Sequence, residues 1–288
     1  MPELPEVETI KKEIEPNLIG RHIKEIELLW EGIVKYPDAA EFKTRLTGRK
    51  IRDLNRRGKY LLIGIDHADT LIMHLKMSGS LLLTKDPAAA PPQFTRAIFK
   101  LDDGQTIFFR DPRKFACLWL IDDTEKVIGK LGPEALGKDL TLKRFSEIIN
   151  KHHTPIKALL CDQTVIAGIG NMYADEALFL SRIHPLRLSD SLDDRELRQL
   201  YNAVREILLM GIENKGASIV NYYRPDGTKG SAHTLFRVSH HKGEPCRACG
   251  TPIERIKVRG RGSYFCPNCQ PNEPIKTDQT SPVSKTGL

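Results

Sequence analysis

The chain lacks the features that would place it in a membrane or direct it out of the cell. No run approaches the ~18 apolar residues that a membrane-spanning helix requires. The first thirty residues carry many acidic side chains and no apolar stretch, which predicts that there is no secretory signal. Internal repeats are also absent. We therefore expect a cytoplasmic protein with no membrane association, and 288 residues are enough for two domains of ordinary size.

The net charge of +7 is unevenly distributed along the chain. Residues 236–270 carry seven Lys/Arg and two Asp/Glu, whereas residues 133–235 carry thirteen of each. A basic cluster of this kind favours a polyanion such as nucleic acid. A solvated basic face is the alternative that charge alone leaves open.

Short apolar runs separated by turn residues dominate the first half of the chain. Asp102-Asp103-Gly104 separates two such runs, 97–101 and 106–109, and predicts a β-hairpin. Several strands at this spacing suggest a β-sandwich, preceded by an amphipathic helix over Glu6–Ile14.

Helical periodicity takes over after Gly132-Pro133. The pattern predicts helices over 142–150, 156–161, 173–180 and 192–210. Residues 213–235 lack periodicity and predict a long loop, and loops of that length are usually functional or disordered.

Four of the six cysteines form the pattern Cys246-x2-Cys249-x16-Cys266-x2-Cys269. Paired Cys-x-x-Cys knuckles hold Zn²⁺ tetrahedrally through four thiolates, which leaves no open coordination position. Disulfides or a redox role are the alternative, and a reducing cytosol disfavours them. We therefore predict one structural zinc ion in a hairpin too small to have a core of its own.

Proline at position 2 becomes the N-terminal residue if Met1 is removed. An α-amino group has a pKa of about 7.8, so a useful fraction is neutral and nucleophilic at pH 7. Such amines form Schiff bases with carbonyl carbons, and Glu3 and Glu6 are near enough in sequence to transfer protons. A frayed terminus or a helix-opening Pro-Glu pair is the structural alternative.

The glycines of Ala167-Gly168-Ile169-Gly170-Asn171 precede a predicted helix. Glycines in this position permit close backbone approach and can form a phosphate site at the helix N-terminus. The alternative is a tight turn between helices with Asn171 as the N-cap. Spacing alone does not separate the two.

Three motifs together resemble the bacterial formamidopyrimidine-DNA glycosylase family. They are MPELPEVET at the start, IKALLCDQTVIAGIGNMYADEAL in the centre, and PCRACGTPI…GRGSYFCPNCQ near the end. The resemblance runs in order from Pro2 to about Gln270. It implies an enzyme that removes oxidised purines from double-stranded DNA and then cuts the strand, acting as a monomer.

The resemblance also implies an α+β fold in four parts. An N-terminal catalytic β-sandwich with an N-terminal helix would occupy 1–132, and a helix-two-turn-helix domain with a loop over the lesion would occupy 133–235. A zinc-finger β-hairpin would follow at 236–270, and a disordered tail at 271–288.

Family roles can be transferred to the matching positions of this sequence. Pro2 would be the nucleophile, Glu3 the general acid/base and Glu6 a supporting carboxylate, while Lys59 would contact the DNA backbone beside the lesion. Asn171 and Arg261 would bind phosphate, and we count Arg261 with Pro2, Glu3 and Lys59 as the catalytic set. Three residues, Met77, Arg113 and Phe115, would fill the gap left by an everted base, and Lys157 would be linked to oxidised-purine preference.

Two departures from the family pattern concern residues 215–237 and Phe115-Ala116-Cys117. The first stretch is associated with holding the everted base, so the preferred base stays open. A sister enzyme of the endonuclease VIII type is one alternative, but it usually begins Pro-Glu-Gly-Pro-Glu, and Leu4 argues against it. A DNA-binding protein without catalysis is another, and the joint presence of Pro2, Glu3 and Lys59 argues against that.

Overall fold

A computed structural model describes residues 1–219 and 222–272. The α-helices are α1 (Leu4–Leu18), α2 (Ala39–Leu46), α3 (Glu125–Ile128), α4 (Leu142–Asn150), α5 (Ile156–Leu160), α6 (Asn171–Leu180) and α7 (Asp194–Glu213). The strands are β1 (Ile23–Leu28), β2 (Val34–Tyr36), β3 (Ile51–Arg57), β4 (Tyr60–Ile65), β5 (Thr70–His74), β6 (Ser80–Thr84), β7 (Thr95–Leu101), β8 (Thr106–Arg110), β9 (Cys117–Ile121), β10 (Glu254–Val258) and β11 (Arg261–Phe265).

Two sheets form the N-terminal β-sandwich that the sequence predicts. One has the strand order β1-β7-β8-β6 and the other β2-β9-β5-β4-β3. Strands β7 and β8 pair antiparallel around the Asp102-Asp103-Gly104 turn, which confirms the predicted hairpin. Apolar side chains from both sheets and from α1 share one buried core, so α1 is fixed along the sandwich.

Helix α1 is longer at both ends than the predicted 6–14. Glu3 is its N-cap, and the Glu3 N–H donates to Glu6 Oε2 at 2.7 Å, so the helix begins at Leu4. At the other end the helix continues past Pro16 to Leu18, which is fully buried. Burial of Leu18 in the sandwich core offsets the backbone hydrogen bond that Pro16 cannot make.

The helical part of the chain surrounds a second core, to which α4, α5, α6 and α7 contribute. Helix α6 is buried on all sides, including the carboxylates of Asp175 and Glu176, which are each 1% exposed. The Glu176 carboxylate accepts the backbone N–H groups of Arg237, Val238 and Ser239 at 2.8–2.9 Å. These bonds attach the chain that leads to the zinc hairpin directly to α6.

A cluster of charged side chains joins the β3–β4 turn to residues 131–134. Glu134 accepts hydrogen bonds from Arg56 Nη1 at 2.7 Å, from Arg57 Nη1 at 2.8 Å and from the Gly58 N–H. Arg57 Nη2 also donates to the Leu131 carbonyl oxygen at 3.0 Å. The turn is therefore fastened to the segment that connects the sandwich with the helical part of the chain.

The structure refines several sequence predictions. Helix α4 has the predicted bounds, while α6 begins at Asn171 and α7 extends to Glu213. Helix α2 and strand β3 carry no signal that the sequence analysis recognised. Within the described part of residues 213–235 there is no strand, and a short 3₁₀-helix covers Ala232–Leu235. The predicted tail, residues 271–288, lies outside the described residues except for its first two.

None of the helices in the described ranges is long and apolar enough to cross a bilayer. The division of the chain at 132, 235 and 270 stays a prediction.

Candidate active site and DNA interface

The N-terminus lies against the glycine motif that precedes α6. The Leu4 N–H donates to the Gly168 carbonyl oxygen at 3.1 Å, and Gly168 has a φ of +107° that disfavours any residue with a Cβ. Pro2 is buried, whereas Met1 is 47% exposed. Met1 is thus accessible to solvent, and the proline that follows it is enclosed by the protein.

Glu3 occupies a pocket formed by the N-terminus of α6. The Met172 N–H donates to Glu3 Oε1 at 3.1 Å, and a side chain at Gly170 would overlap the Glu3 carboxylate. The positive end of the α6 dipole stabilises a carboxylate there. The second oxygen, Oε2, is buried without a hydrogen-bond partner in the described ranges, so it is available to a reacting group.

The glycine motif therefore makes room for a carboxylate of the same chain. The phosphate-site interpretation stays a prediction, and the structure corrects the N-cap of the alternative interpretation. Gly170, not Asn171, is the N-cap, and the helix N-terminus receives Glu3. Gln163, which the sequence analysis did not single out, supports this loop through bonds to Gly168 N at 3.0 Å and to the Ile169 carbonyl oxygen at 2.8 Å.

Glu6 lies fully buried beneath Glu3. It accepts hydrogen bonds from the Glu3 N–H at 2.7 Å, the Tyr173 hydroxyl at 2.6 Å and the Ala217 N–H at 2.7 Å. Burial, helped by the negative charge of Glu3, raises the pKa of Glu6 above its ordinary value. Glu6 thus links the N-terminus, α6 and the start of the long loop, and Tyr173 is a partner that no sequence signal revealed.

The raised pKa of Glu6 gives a pH-dependent stability with a definite sign. The folded chain retains a proton on Glu6 at pH values where the unfolded chain has released it. This stabilisation of the folded chain is complete below the unfolded pKa of about 4.3 and is lost as pH rises through the raised folded pKa.

Urea titrations between about pH 4 and pH 7 would measure this loss as a decrease in the free energy of unfolding with rising pH. We expect the decrease to be smaller in Glu6→Gln than in the wild-type chain. Glu15→Gln, which changes a carboxylate with 33% side-chain exposure on the same helix, should leave the decline intact. Parallel curves for Glu6→Gln and the wild-type chain would contradict this assignment.

Lys59 lies in the β3–β4 turn and is 5% exposed. Burial lowers the pKa of Lys59, while Glu3 and Glu6 act on it as nearby negative charges and oppose the shift. Gly58, which precedes Lys59 in this turn, has a φ of +55° and packs against the glycine motif. A side chain at position 58 would come within 3.3 Å of Ala167 Cβ. The positive charge of Arg261 adds a small further lowering of the pKa of Lys59.

Asn171 and Arg261 come together from two parts of the chain. Asn171 Nδ2 donates to the Gly262 carbonyl oxygen at 2.9 Å, which fixes the start of α6 beside β11. Arg261 is exposed at the first position of β11, and Asn171 Oδ1 has no partner among the described residues. Asn171 is therefore held next to the residue that follows Arg261 in the chain.

Lys157 has a different location from that expected of a DNA-contacting residue. It is 1% exposed, forms an ion pair with Asp175 and donates to the Asn171 carbonyl oxygen at 3.0 Å. Because its Nζ is enclosed beneath α6, it supports Asn171 from inside the protein. Its predicted link to oxidised-purine preference stays a prediction.

The three residues predicted to replace an everted base form one exposed cluster. Met77 and Phe115 are each 47% exposed, Arg113 Nη1 lies 3.5 Å from Met77 Sδ, and its guanidinium is 4.7 Å from the Phe115 ring centre. Residues 77 and 115 are far apart in sequence, so the fold brings the cluster together.

Asp111 holds this cluster in place and was missed by the sequence analysis. Its buried carboxylate accepts the N–H groups of Phe115 and Ala116 at 2.7 Å and that of Arg113 at 3.2 Å, together with the Ser78 hydroxyl. One carboxylate therefore fixes both loops that carry the exposed side chains. An isolated aspartate has no sequence signature that predicts such a role.

The four paired cysteines converge at the base of the β10–β11 hairpin. Their Sγ atoms all lie within 4.8 Å of one another, with individual separations of 3.4, 3.5 and 3.9 Å. A Zn–S distance of about 2.3 Å places tetrahedral sulfurs about 3.8 Å apart, whereas a disulfide requires about 2.05 Å. The cysteines fit one zinc ion and are not disulfide-bonded, as the sequence predicts.

The zinc hairpin is attached to the helical core and presents basic residues. Gln270 Nε2 donates to the Ile183 carbonyl oxygen at 2.9 Å, and Gln270 Oε1 accepts from the Cys266 N–H at 3.0 Å. The exposed cations between the knuckles are Arg255, Lys257, Arg259 and Arg261.

Three family models match successive parts of the chain. The formamidopyrimidine-DNA glycosylase N-terminal domain matches residues 1–118, and the H2TH domain of the same enzyme matches 131–222. The zinc finger found in FPG and IleRS matches 243–272. The chain belongs to the formamidopyrimidine-DNA glycosylase family.

Individual members of the family align over almost their whole length. The formamidopyrimidine-DNA glycosylase of Herpetosiphon aurantiacus is 42% identical over 274 residues, which are 94% of this chain and 100% of that protein. The Lactococcus lactis Fpg in complex with abasic-site DNA superposes with a TM-score of 0.87 at 35% identity, over 94% of this chain and 100% of that one. MutM in complex with DNA containing carbocyclic 8-oxo-G gives a TM-score of 0.85 at 37% identity, over 94% and 100%. The α+β architecture, with its helical H2TH part and zinc-finger hairpin, is therefore that of the glycosylase family.

Proposed function

We propose that the chain is a bifunctional DNA glycosylase and abasic-site lyase of base excision repair. Its substrates would be oxidised purines, namely formamidopyrimidines and 8-oxoguanine, in double-stranded DNA, and it would act as a monomer in the bacterial cytoplasm. The observation that carries the proposal is that Glu3, which follows Pro2 in the chain, lies at the N-terminus of α6 within electrostatic range of the buried Lys59. The names and bound DNA of the family members support the choice of substrate.

The reaction begins with a base that has left the duplex, since C1′ of the sugar is inaccessible inside the stack. Everting a nucleotide costs a few kcal/mol. The exposed cluster of Met77, Arg113 and Phe115 would offset part of that cost by filling the gap in the stack. Lys59, Asn171 and Arg261 would hold the phosphates beside the everted nucleotide, because a buried ammonium gains most from an anion placed next to it.

Neutral Pro2 then attacks C1′, and the N-glycosidic bond breaks with its electron pair moving to the departing base, which takes up the proton that the attacking nitrogen loses. Glu3, whose Oε2 is free of partners in the described ranges, donates a proton to the ring oxygen, and the opened sugar remains joined to Pro2 as an iminium ion. The iminium acidifies the C2′ proton. Removal of that proton expels the 3′ phosphate by β-elimination, and a second elimination expels the 5′ phosphate.

Zinc would be held by the four cysteines and would fold the hairpin that carries Arg261. With four thiolates bound it has no position for substrate, so its contribution is structural. Proton transfer to the ring oxygen is assigned to Glu3, and the carboxylate that this leaves would then accept the C2′ proton.

Borohydride trapping tests the proposal directly. We expect sodium borohydride to convert the iminium into a stable amine, giving a covalent complex between the chain and duplex DNA carrying 8-oxoguanine opposite cytosine. Peptide mapping should place the adduct on Pro2. A chain that binds this duplex with Met1 removed but yields neither adduct nor strand cleavage would be a DNA-binding protein without catalysis. Preferential excision of oxidised pyrimidines would instead favour the endonuclease VIII type.

A further inference from the structure

Residues 214–219 and 222–231, between α7 and the Ala232–Leu235 helix, include two parts that contact the sandwich. The first part reaches the reaction centre through Glu6, which accepts both the Ala217 N–H and the Glu3 N–H. The later part, residues 222–228, which we call the docked arm, lies against α1 and β6. Helix α1 therefore contacts this segment at two carboxylates, Glu6 and Glu13, two helical turns apart.

An ion pair fixes the docked arm to α1. Arg224 Nε and Nη2 both donate to Glu13 Oε1, at 2.9 and 2.7 Å, and the two side chains are only 24% and 20% exposed. Glu13 raises the pKa of Arg224, so the guanidinium stays charged. Arg224 also closes the turn of the arm through Thr228, whose hydroxyl accepts from Nη1 at 2.9 Å.

Two further contacts bring the arm onto the same surface. The Leu83 N–H donates to the Pro225 carbonyl oxygen at 2.8 Å, and β6 is an edge strand, so the arm covers an otherwise open backbone edge. Tyr222 is 5% exposed and belongs to the core of the sandwich although it lies between helical elements in sequence. Ser218 joins the two parts of the segment by donating to the Tyr222 carbonyl oxygen at 2.9 Å and accepting from Gly230 N at 2.9 Å.

We propose that Arg224 and Glu13 are positioning residues for the base-release step, because their ion pair holds the docked arm and thereby sets the segment beside the reaction centre. This inference rests on the proposed glycosylase activity. The sugar is attacked from the side of Pro2 and Glu3, and the segment adjoins that centre through Ala217. A displaced segment would misplace the base, whereas an abasic sugar has no base to be placed.

The proposal predicts that mutation of this ion pair lowers base excision but not strand cleavage at an abasic site. In single-turnover assays, Arg224→Gln and Glu13→Gln should each lower the rate of 8-oxoguanine excision roughly tenfold or more, since small displacements near a reacting group are costly. Strand cleavage at a preformed abasic site should stay within about twofold of the wild-type rate. The exchanged pair Glu13→Arg with Arg224→Glu should recover part of the excision rate, which identifies the interaction between the two charges.

A second ion pair supplies the matched control. Arg45 pairs with Asp69 at 2.5 Å, with side-chain exposures of 28% and 16%, and lies away from the docked arm. Arg45→Gln should lower the melting temperature about as much as Arg224→Gln and leave both activities unchanged. Equal losses of excision and abasic cleavage in Arg224→Gln, or no loss of either, would overturn the positioning role. Failure of the wild-type chain in both assays would instead reject the proposed function.

Discussion

A chain that retains Met1 will not form the covalent adduct with damaged DNA. The nitrogen of Pro2 is then part of a tertiary amide, whose lone pair is delocalised into the carbonyl group and is not basic. We expect excision and abasic-site cleavage to fall by roughly 10³-fold or more, since removing a covalent nucleophile typically costs at least this much. Binding to a duplex with a non-reactive abasic analogue should change little, because the predicted phosphate-binding residues are untouched.

The forms with and without Met1 can be compared in a single protein preparation. Cell-free synthesis with methionine aminopeptidase inhibited would give the Met1 form, and later treatment with the aminopeptidase would remove the exposed residue. Both activities should appear in proportion to the fraction of chains that begin at Pro2, as measured by mass spectrometry. Full activity with Met1 present on every molecule would show that another group is the nucleophile.

Glu3→Gln is expected to have the second largest effect. The amide can still accept the Met172 N–H through its oxygen, so the N-terminus should remain docked, but it cannot deliver a proton. Base excision should fall about 10²- to 10⁴-fold, the usual contribution of a general acid. On a preformed abasic site, where the sugar already opens to its aldehyde, borohydride trapping should decline much less.

This difference between substrates separates proton donation from simple damage to the site. Glu15→Gln provides a control on the same helix, since its carboxylate pairs with Lys11 at 3.0 Å on the outer surface. It should leave both reactions at the wild-type rate. If Glu3→Gln reduced excision only two- or threefold, the proton would have to come from elsewhere.

The sequence revealed those residues whose chemistry depends on a local pattern. The cysteine spacing predicts a metal site, and Asp102-Asp103-Gly104 predicts a hairpin, because both are decided within a few neighbouring residues. Asp111 and Glu134 had no such pattern. Glu134 accepts a hydrogen bond from Arg56, which is 78 residues away in the sequence. Only the folded structure shows that these two residues are neighbours.

Hydrophobic periodicity is a poor guide to a helix that is buried on all of its faces. Helix α6 buries Asp175 and Glu176 as completely as its apolar residues, so no amphipathic stripe shows which face is inside. The same core encloses Lys157, whose ammonium forms an ion pair with Asp175 in the interior. Polar partners within a core depend on tertiary contacts, which a sequence pattern does not record.

The bonds that Glu134 makes to Arg56, Arg57 and Gly58 have a mechanical consequence. They tie the turn that carries Lys59 to the junction between sandwich and helices. Any displacement of this junction would therefore also displace the backbone next to Lys59.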